Sequence, residues 1–320
     1  PSIGSAVVTD DGRTFLTDSE YRLLVEVDDA GQRLRQWPAP VPAGPPTASV
    51  LNHPFPGRVL LDQDRNPATW WTTRTETELT LHVWWPLRQD SVPVNIPLPS
   101  GTRDQLQERE GVFVRSLNEV SVRRDSSVYI ADGLSGTIHH FSLEGADLGA
   151  VATANARSVG LGGGRTVAFD AQGNLASYTI DAVEVRSVTG EVLRRVPVDG
   201  RNLQLYMDVQ LVLRPDGGFL FLDEQRVVKL SATGELEQEW RNSGWAPGEF
   251  KDPSNLAVDT EGFVYVVEHG NRRVQKLDPY GRVVAVWSLT TIRDPLRVAV
   301  GPSGEVWVTG YGPVSYTHLR

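Results

Sequence analysis

Forty acidic residues and six histidines, with no cysteine, leave carboxylate and imidazole chemistry open to this 320-residue chain. They remove thiolate metal ligands, disulfides and a cysteine nucleophile together. The carboxylates with meaningful spacing are Asp18, Asp132, Asp181, Asp223 and Glu268, each closing a short apolar run, with Arg74 and Gly310 interrupting the series. Side chains recurring this way collect at one end of a repeated fold, where they would hold a cation or a polar ligand. His269 and the pair His139-His140 are the nearest imidazoles. Adjacent residues on a strand point to opposite faces, so that pair supplies at most one ligand to any metal. The competing reading gives each carboxylate a structural task, accepting backbone N–H bonds in the adjacent turn and pairing with an arginine such as Arg273. This second reading is preferred, because buried polar groups are normally satisfied within the protein.

Other chemistry finds less support. No Gly-x-Ser-x-Gly elbow occurs. The stretch Gly160-Leu161-Gly162-Gly163-Gly164-Arg165 lacks the Gly-Lys-Ser/Thr ending of a phosphate loop and does not lead into a helix. Nine tryptophans include the pairs Trp70-Trp71 and Trp84-Trp85. Strand alternation turns the members of each pair to opposite faces, and an indole reaching an open rim would stack on a sugar ring or a peptide side chain. Trp71 and Trp84 are the candidates for that role. Trp37, Trp240 and Trp287 end corresponding runs and read as repeated packing positions.

The elements that must position these residues are short β-strands. From Asn255 to Trp287 four β-rich runs are separated by turns at Glu261-Gly262, Gly270-Asn271 and Asp278 to Gly281, which is a four-stranded meander. Its first turn recurs seven times: at Asp10 to Gly12, Asp64 to Asn66, Asp125-Ser126, Asp170 to Gly173, Pro215 to Gly218, Asp259 to Gly262 and Pro302 to Gly304. A period of about 40–50 residues with four strands per unit is the signature of propeller blades. The weakest unit is the second, where Asp90 to Val92 replaces the glycine turn. Helices are excluded because Gly and Pro break every window.

Composition bounds the partners. Hydrophobic content of 40% and charged content of 22% are those of a globular chain, and the net charge of −9 argues against nucleic-acid or anionic-lipid surfaces. No apolar run approaches the roughly 20 residues of a membrane helix. The chain opens on Pro1, and an N-terminal truncation is expected. The absence of cysteine leaves both reducing and oxidising compartments open, and an extracytoplasmic location, periplasmic or secreted, is the expectation for a bacterial protein. Residues 1–312 are expected to form one domain, and Pro313 to Arg320 to be a non-native read-through tail.

The text Gly248-Glu249-Phe250, Pro253, Leu256 to Asp259, Gly262, Val264-Tyr265-Val266, Gly270-Asn271, Arg273-Val274-Gln275 and Gly281 resembles an NHL repeat almost position for position. Val128 to Asp132 is the next best copy, and Glu268-His269 departs from the family's usual Asp followed by a small residue. The resemblance implies a β-propeller. The fold expected is all-β, with seven blades of four-stranded antiparallel meanders, six complete and the last stopping after two strands. A six-bladed ring with a spare segment is the alternative.

The function expected is a monomeric, non-enzymatic scaffold that needs no cofactor and recognises a protein, peptide or glycan. Its candidate ligand-binding residues are Asp18, Arg74, Asp132, Asp181, Asp223, Glu268, His269, Arg273, Trp71 and Trp84. The alternative is a metal-dependent lactonase or lyase at the central channel, with Glu268, His269 or Asp132 as ligands. RNA binding, known for some relatives in the family, is disfavoured by the acidic balance.

Overall fold

A computed structural model describes residues 3–9, 11–18, 21–28, 30–39, 59–61, 66–74, 78–87, 90–97, 117–122, 128–132, 137–142, 146–152, 167–169, 174–178, 182–187, 190–197, 210–222, 226–240, 244–311 and 316–319. Among them there is no helix, and the strands fall into seven antiparallel sheets. In chain order the first sheet is β1 (Ile3–Val8), β2 (Thr14–Asp18), β3 (Leu23–Val27) and β4 (Arg33–Pro38). The second is β5 (Leu60–Leu61), β6 (Pro67–Arg74), β7 (Glu78–Trp85) and β8 (Asp90–Pro97), and the third β9 (Leu117–Val122), β10 (Val128–Asp132), β11 (Thr137–Phe141) and β12 (Asp147–Ala152). The fourth holds β13 (Val167–Phe169), β14 (Leu175–Tyr178), β15 (Ala182–Arg186) and β16 (Val192–Pro197). The fifth holds β17 (Gln210–Leu213), β18 (Phe219–Leu222), β19 (Val227–Leu230) and β20 (Leu236–Trp240). The sixth comprises β21 (Pro253–Val258), β22 (Val264–Glu268), β23 (Arg273–Leu277) and β24 (Val283–Ser288). The seventh comprises β25 (Asp294–Val300), β26 (Val306–Tyr311) and β27 (Tyr316–Leu319). It therefore has three strands where two were expected, because Tyr316–Leu319 pairs with β26 in the register Thr309↔Tyr316 to Val306↔Leu319.

One turn is used throughout. Its first residue donates its N–H to the carbonyl four residues on and accepts the N–H of a glycine three residues on. This closure occurs at Gly12, Gly31, Gly190, Gly217, Gly234, Gly262, Gly281 and Gly304, all with φ between 77 and 86°. Only glycine enters that region freely, which is why the sequence marks the turns so plainly. The first side chain reinforces the loop: Asp259 Oδ1 accepts from the Glu261 and Phe263 amides, and Asp278 Oδ1 from those of Tyr280 and Arg282. Where this turn joins the third and fourth strands the register slips by one residue, at Glu26/Val27, His140/Phe141, Val185/Arg186, Lys229/Leu230 and Lys276/Leu277. The extra residue is the bulge that accompanies such a turn. The second sheet, which lacks the glycine, runs from Glu78↔Pro97 to Trp85↔Asp90 without a slip.

Strand alternation assigns each side of a sheet to a different neighbour. On β18, Phe219 and Phe221 enter the core shared with the fourth sheet, while Leu220 and Leu222 enter the core shared with the sixth. On β22, Val264 and Val266 face the fifth sheet, and Tyr265 and Val267 face the seventh. In the first sheet Phe15 packs with Val59 and Trp84 of the second, whereas Leu16 and Val25 pack with Trp307 of the seventh, so the first and last sheets are in contact. Second strands are accordingly buried at every position in β2, β14, β18 and β22, and the fourth strands are mostly exposed.

The first strands of sheets five to seven are joined by buried amides that the sequence did not single out. Gln210 Nε2 donates to the Leu256 carbonyl (2.8 Å), and Gln210 Oε1 accepts from the Leu256 amide (3.0 Å) and from Asn255 Nδ2 (2.9 Å). Asn255 Oδ1 in turn accepts the Val298 amide at 2.9 Å. These bonds tie the first strands of three consecutive sheets to one another. Replacing Asn255 by Ala is expected to lower unfolding free energy by about 1–3 kcal/mol for each buried partner left unpaired, measured by urea denaturation. An unchanged midpoint would show that these bonds do not couple the sheets.

Candidate functional site

Second and fourth strands end on the same side of every sheet, together with the loops that enter the next sheet. The best-formed part of this face surrounds Glu268, the last residue of β22, whose side chain is fully buried. Its Oε1 accepts from Arg273 Nε (2.6 Å) and Gln275 Nε2 (2.8 Å), and its Oε2 from Asn271 Nδ2 (2.6 Å) and the Lys251 amide (3.0 Å). Arg273, in the β23 position opposite, carries the bonding outward: Nη1 donates to the Trp245 carbonyl (2.5 Å) and Nη2 to those of Ala246 (3.1 Å) and Glu249 (2.7 Å). Gln275 Oε1 accepts from the Gly248 amide (2.9 Å), Asn271 Nδ2 donates to the Gly244 carbonyl (2.7 Å), and Glu249 Oε2 accepts from the Ala246 amide (3.1 Å). The loop from Gly244 to Lys251 is thus held by polar bonds from the floor beneath it.

This places the predicted residues. The pairing of Arg273 with a strand-ending carboxylate is present, and both side chains are engaged in building the loop. Asp18 occupies the equivalent position at the end of β2, is fully buried, and its Oδ1 accepts the Tyr21 amide (3.1 Å) across the next turn. The two turns end in the same way although only one contains Gly-Asn. Arg22 and Arg272 have φ of 54 and 48°, and their carbonyls accept the Ala39 and Leu289 amides at 2.8 and 2.7 Å. Gly310 replaces the carboxylate in the seventh sheet because a β-carbon there would lie 2.2 Å from the Asp294 carbonyl oxygen. His269 is half-exposed, its Nε2 lying 3.4 Å from Asp294 Oδ1 at the start of the next sheet. Asp181 and Asp223 lie outside the described residues, as do the side chains of Asp132, Arg74 and Trp71.

The tryptophan reading changes most. Trp84 is 7% exposed and Trp85 2%, Trp84 sitting in the core between the first and second sheets with Phe15, Leu24 and Val59. Its position in β7, opposite Thr69 of β6, turns it into the inter-sheet space and away from a rim. Among the described residues the exposed indole is Trp245, which sequence reasoning passed over: it is 69% exposed, at the crest of the Gly244–Lys251 loop, with Lys251 Nζ 5.0 Å from its ring centroid. The available signal was its place just before Pro247-Gly248, where a loop rather than a strand must run.

For metal chemistry, Glu268 is enclosed by four donors and its neighbour His269 points to Asp294. Among the described residues no group of three or more His, Cys, Asp or Glu is arranged to hold an ion. What the face offers instead is a rigid loop bearing an open aromatic ring among fixed charges.

Comparison with known proteins places the fold. The chain is similar to virginiamycin B lyase from Staphylococcus aureus, with a TM-score of 0.64 at 10% identity over 97% of this chain and 92% of that one. It is also similar to a streptogramin B lyase (TM-score 0.61, 13% identity, 96% and 90% covered). A third likeness is to the WD40 β-propeller domain of Doa1 (0.63, 13%, 100% and 92%). No family model and no curated protein sequence matches the chain. At these identities the likeness is one of architecture: the protein is an all-β propeller, in a fold that carries lyases and WD40 domains alike.

Glu268→Ala removes the floor under the loop and leaves the Arg273 charge buried without its partner. It is expected to cost about 3–5 kcal/mol, read by chemical denaturation. A loss no larger than that of an exposed carboxylate such as Glu261→Ala would mean that the pair does not hold this face together.

Proposed function

We propose that this protein is a non-enzymatic binding scaffold, an NHL-type propeller of seven blades that recognises a protein, peptide or glycan as a single copy. The ligand meets the face where second strands end. The observation that carries this reading is the division of labour around Glu268. The buried carboxylate and guanidinium are engaged in hydrogen bonds to the loop, and the loop they hold presents the aromatic ring of Trp245 to solvent. Catalysis needs polar groups with room to reach a reacting atom, whereas recognition needs a fixed platform whose ordering cost is already met by the fold. The NHL assignment rests on the repeat text from Gly248 to Gly281, and the seven-bladed ring on seven sheets of which the first packs on the last.

The test is a binding screen of the purified chain against an array of oligosaccharides and a displayed library of random peptides. Capture of members from one of the two is expected, weakened at least tenfold by Trp245→Ala and unaffected by Tyr280→Ala, an exposed aromatic on the opposite face. In parallel, quinupristin, which accompanies a structure of the Staphylococcus aureus lyase, is expected to stay intact on incubation with the protein and an added divalent cation. A new product, separated by liquid chromatography and identified by tandem mass spectrometry, would overturn the non-enzymatic reading.

A further inference from the structure

The exposed apolar groups are distributed unevenly over the molecule. Leu34, Leu148, Val192, Leu193, Leu236, Val284 and Val286 all lie on fourth strands, around the outside. Leu87 and Tyr280 lie in turns at the opposite end. On the face described above, the large exposed apolar residues among those described are Trp245 (69%), Tyr21 (58%) and Tyr311 (47%), and every one is aromatic. They stand on three successive parts of the structure. Trp245 is in the loop entering the sixth sheet, Tyr311 ends the second strand of the seventh, and Tyr21 is in the turn after the second strand of the first. The sixth sheet is bonded to the seventh through Asn255 and Val298, and the seventh packs on the first through Trp307, so the three rings follow one another along one arc.

Resting on the scaffold reading just given, we infer that this arc binds a neutral polysaccharide, with Trp245, Tyr311 and Tyr21 as successive stacking platforms. An aromatic ring carries a negative face, to which a pyranose presents its weakly positive axial C–H groups, while its hydroxyls project sideways to polar neighbours. Such neighbours are present: Lys251 against Trp245, His269 with Asp294, and Arg293, whose amide donates to the Tyr311 carbonyl (3.1 Å). Both signs of charge occur, on a chain with a net charge of −9, which suits a neutral polymer better than an anionic one.

A peptide added as an extra strand would need free backbone groups. In the Trp245 loop the carbonyls of Trp245, Ala246 and Glu249 and the amides of Ala246, Gly248, Glu249 and Lys251 are already bonded within the protein. Recognition there falls to side chains. A protein partner would need a contiguous apolar centre, whereas the exposed rings stand singly on three different sheets.

The experiment is native gel electrophoresis through hydroxyethyl cellulose, galactomannan, xyloglucan or glycol chitin, with polygalacturonate as the anionic control. Retardation by at least one neutral polymer, stronger than by polygalacturonate, is expected. The apparent Kd should rise at least tenfold in Trp245→Ala and in Tyr311→Ala, with melting temperatures unchanged, and stay the same in Tyr280→Ala. Retardation that survives Trp245→Ala would overturn the proposal, as would preference for polygalacturonate. If no neutral polymer retards the protein but displayed peptides bind it through Trp245, the saccharide class falls and the scaffold reading stands. If neither binds, both fall.

Discussion

A four-stranded meander has two apolar faces and can cover neither by itself. The second strands β2, β18 and β22 answer that constraint, with odd and even side chains committed to different neighbours, as Phe219 and Phe221 are to one core and Leu220 and Leu222 to the next. Burying a side chain of this size contributes about 1.5–3 kcal/mol, so a sheet without its neighbours would lose the greater part of its stabilisation. Directional bonds then set what the apolar contacts leave free. The Gln210–Asn255–Val298 amide chain locks the relative height of consecutive sheets, and hence brings their strand ends to a common face.

On that face the buried Glu268–Arg273 pair does for one loop what the hydrophobic cores do for the sheets. A buried ion pair often adds little net stability over an apolar substitute, because both charges must be desolvated. Here Arg273 turns its remaining donors onto the carbonyls of Trp245, Ala246 and Glu249, and Glu268 accepts the Lys251 amide together with the side-chain amides of Asn271 and Gln275. The pair thereby converts an irregular segment into a fixed one. The exposed indole it carries is pre-positioned, and the neighbouring His269–Asp294 contact continues the same rim into the next sheet.

Much of this was legible in the residues because it is local. A glycine at φ near 80°, three positions after an Asp, Ser or Thr, encodes its turn without help from elsewhere, and the turns fix the meander. Repetition did the rest. The structural task of Glu268 and Asp18 was legible too, since a buried acid beside a turn has donors within reach. Exposure was not. Whether Trp84 or Trp245 meets solvent depends on which sheet packs over which side chain, and two adjacent indoles give the same text in a core and on a rim. The third strand of the seventh sheet was missed because Pro313 to Arg320 departs from the repeated text, and the turn that leads into a third strand does not carry the glycine closure. The equivalence of the Tyr21-Arg22 and Asn271-Arg272 turns was hidden because arginine at positive φ leaves no compositional mark.

Amide hydrogen exchange measured residue by residue tests most directly whether Glu268 and Arg273 make a rigid platform of the loop beneath Trp245. The amides of Ala246, Gly248 and Lys251 are expected to exchange as slowly as those of β22 and to become fast when Glu268 is replaced by Ala. Fast exchange at these three amides in the unmodified protein would contradict the account.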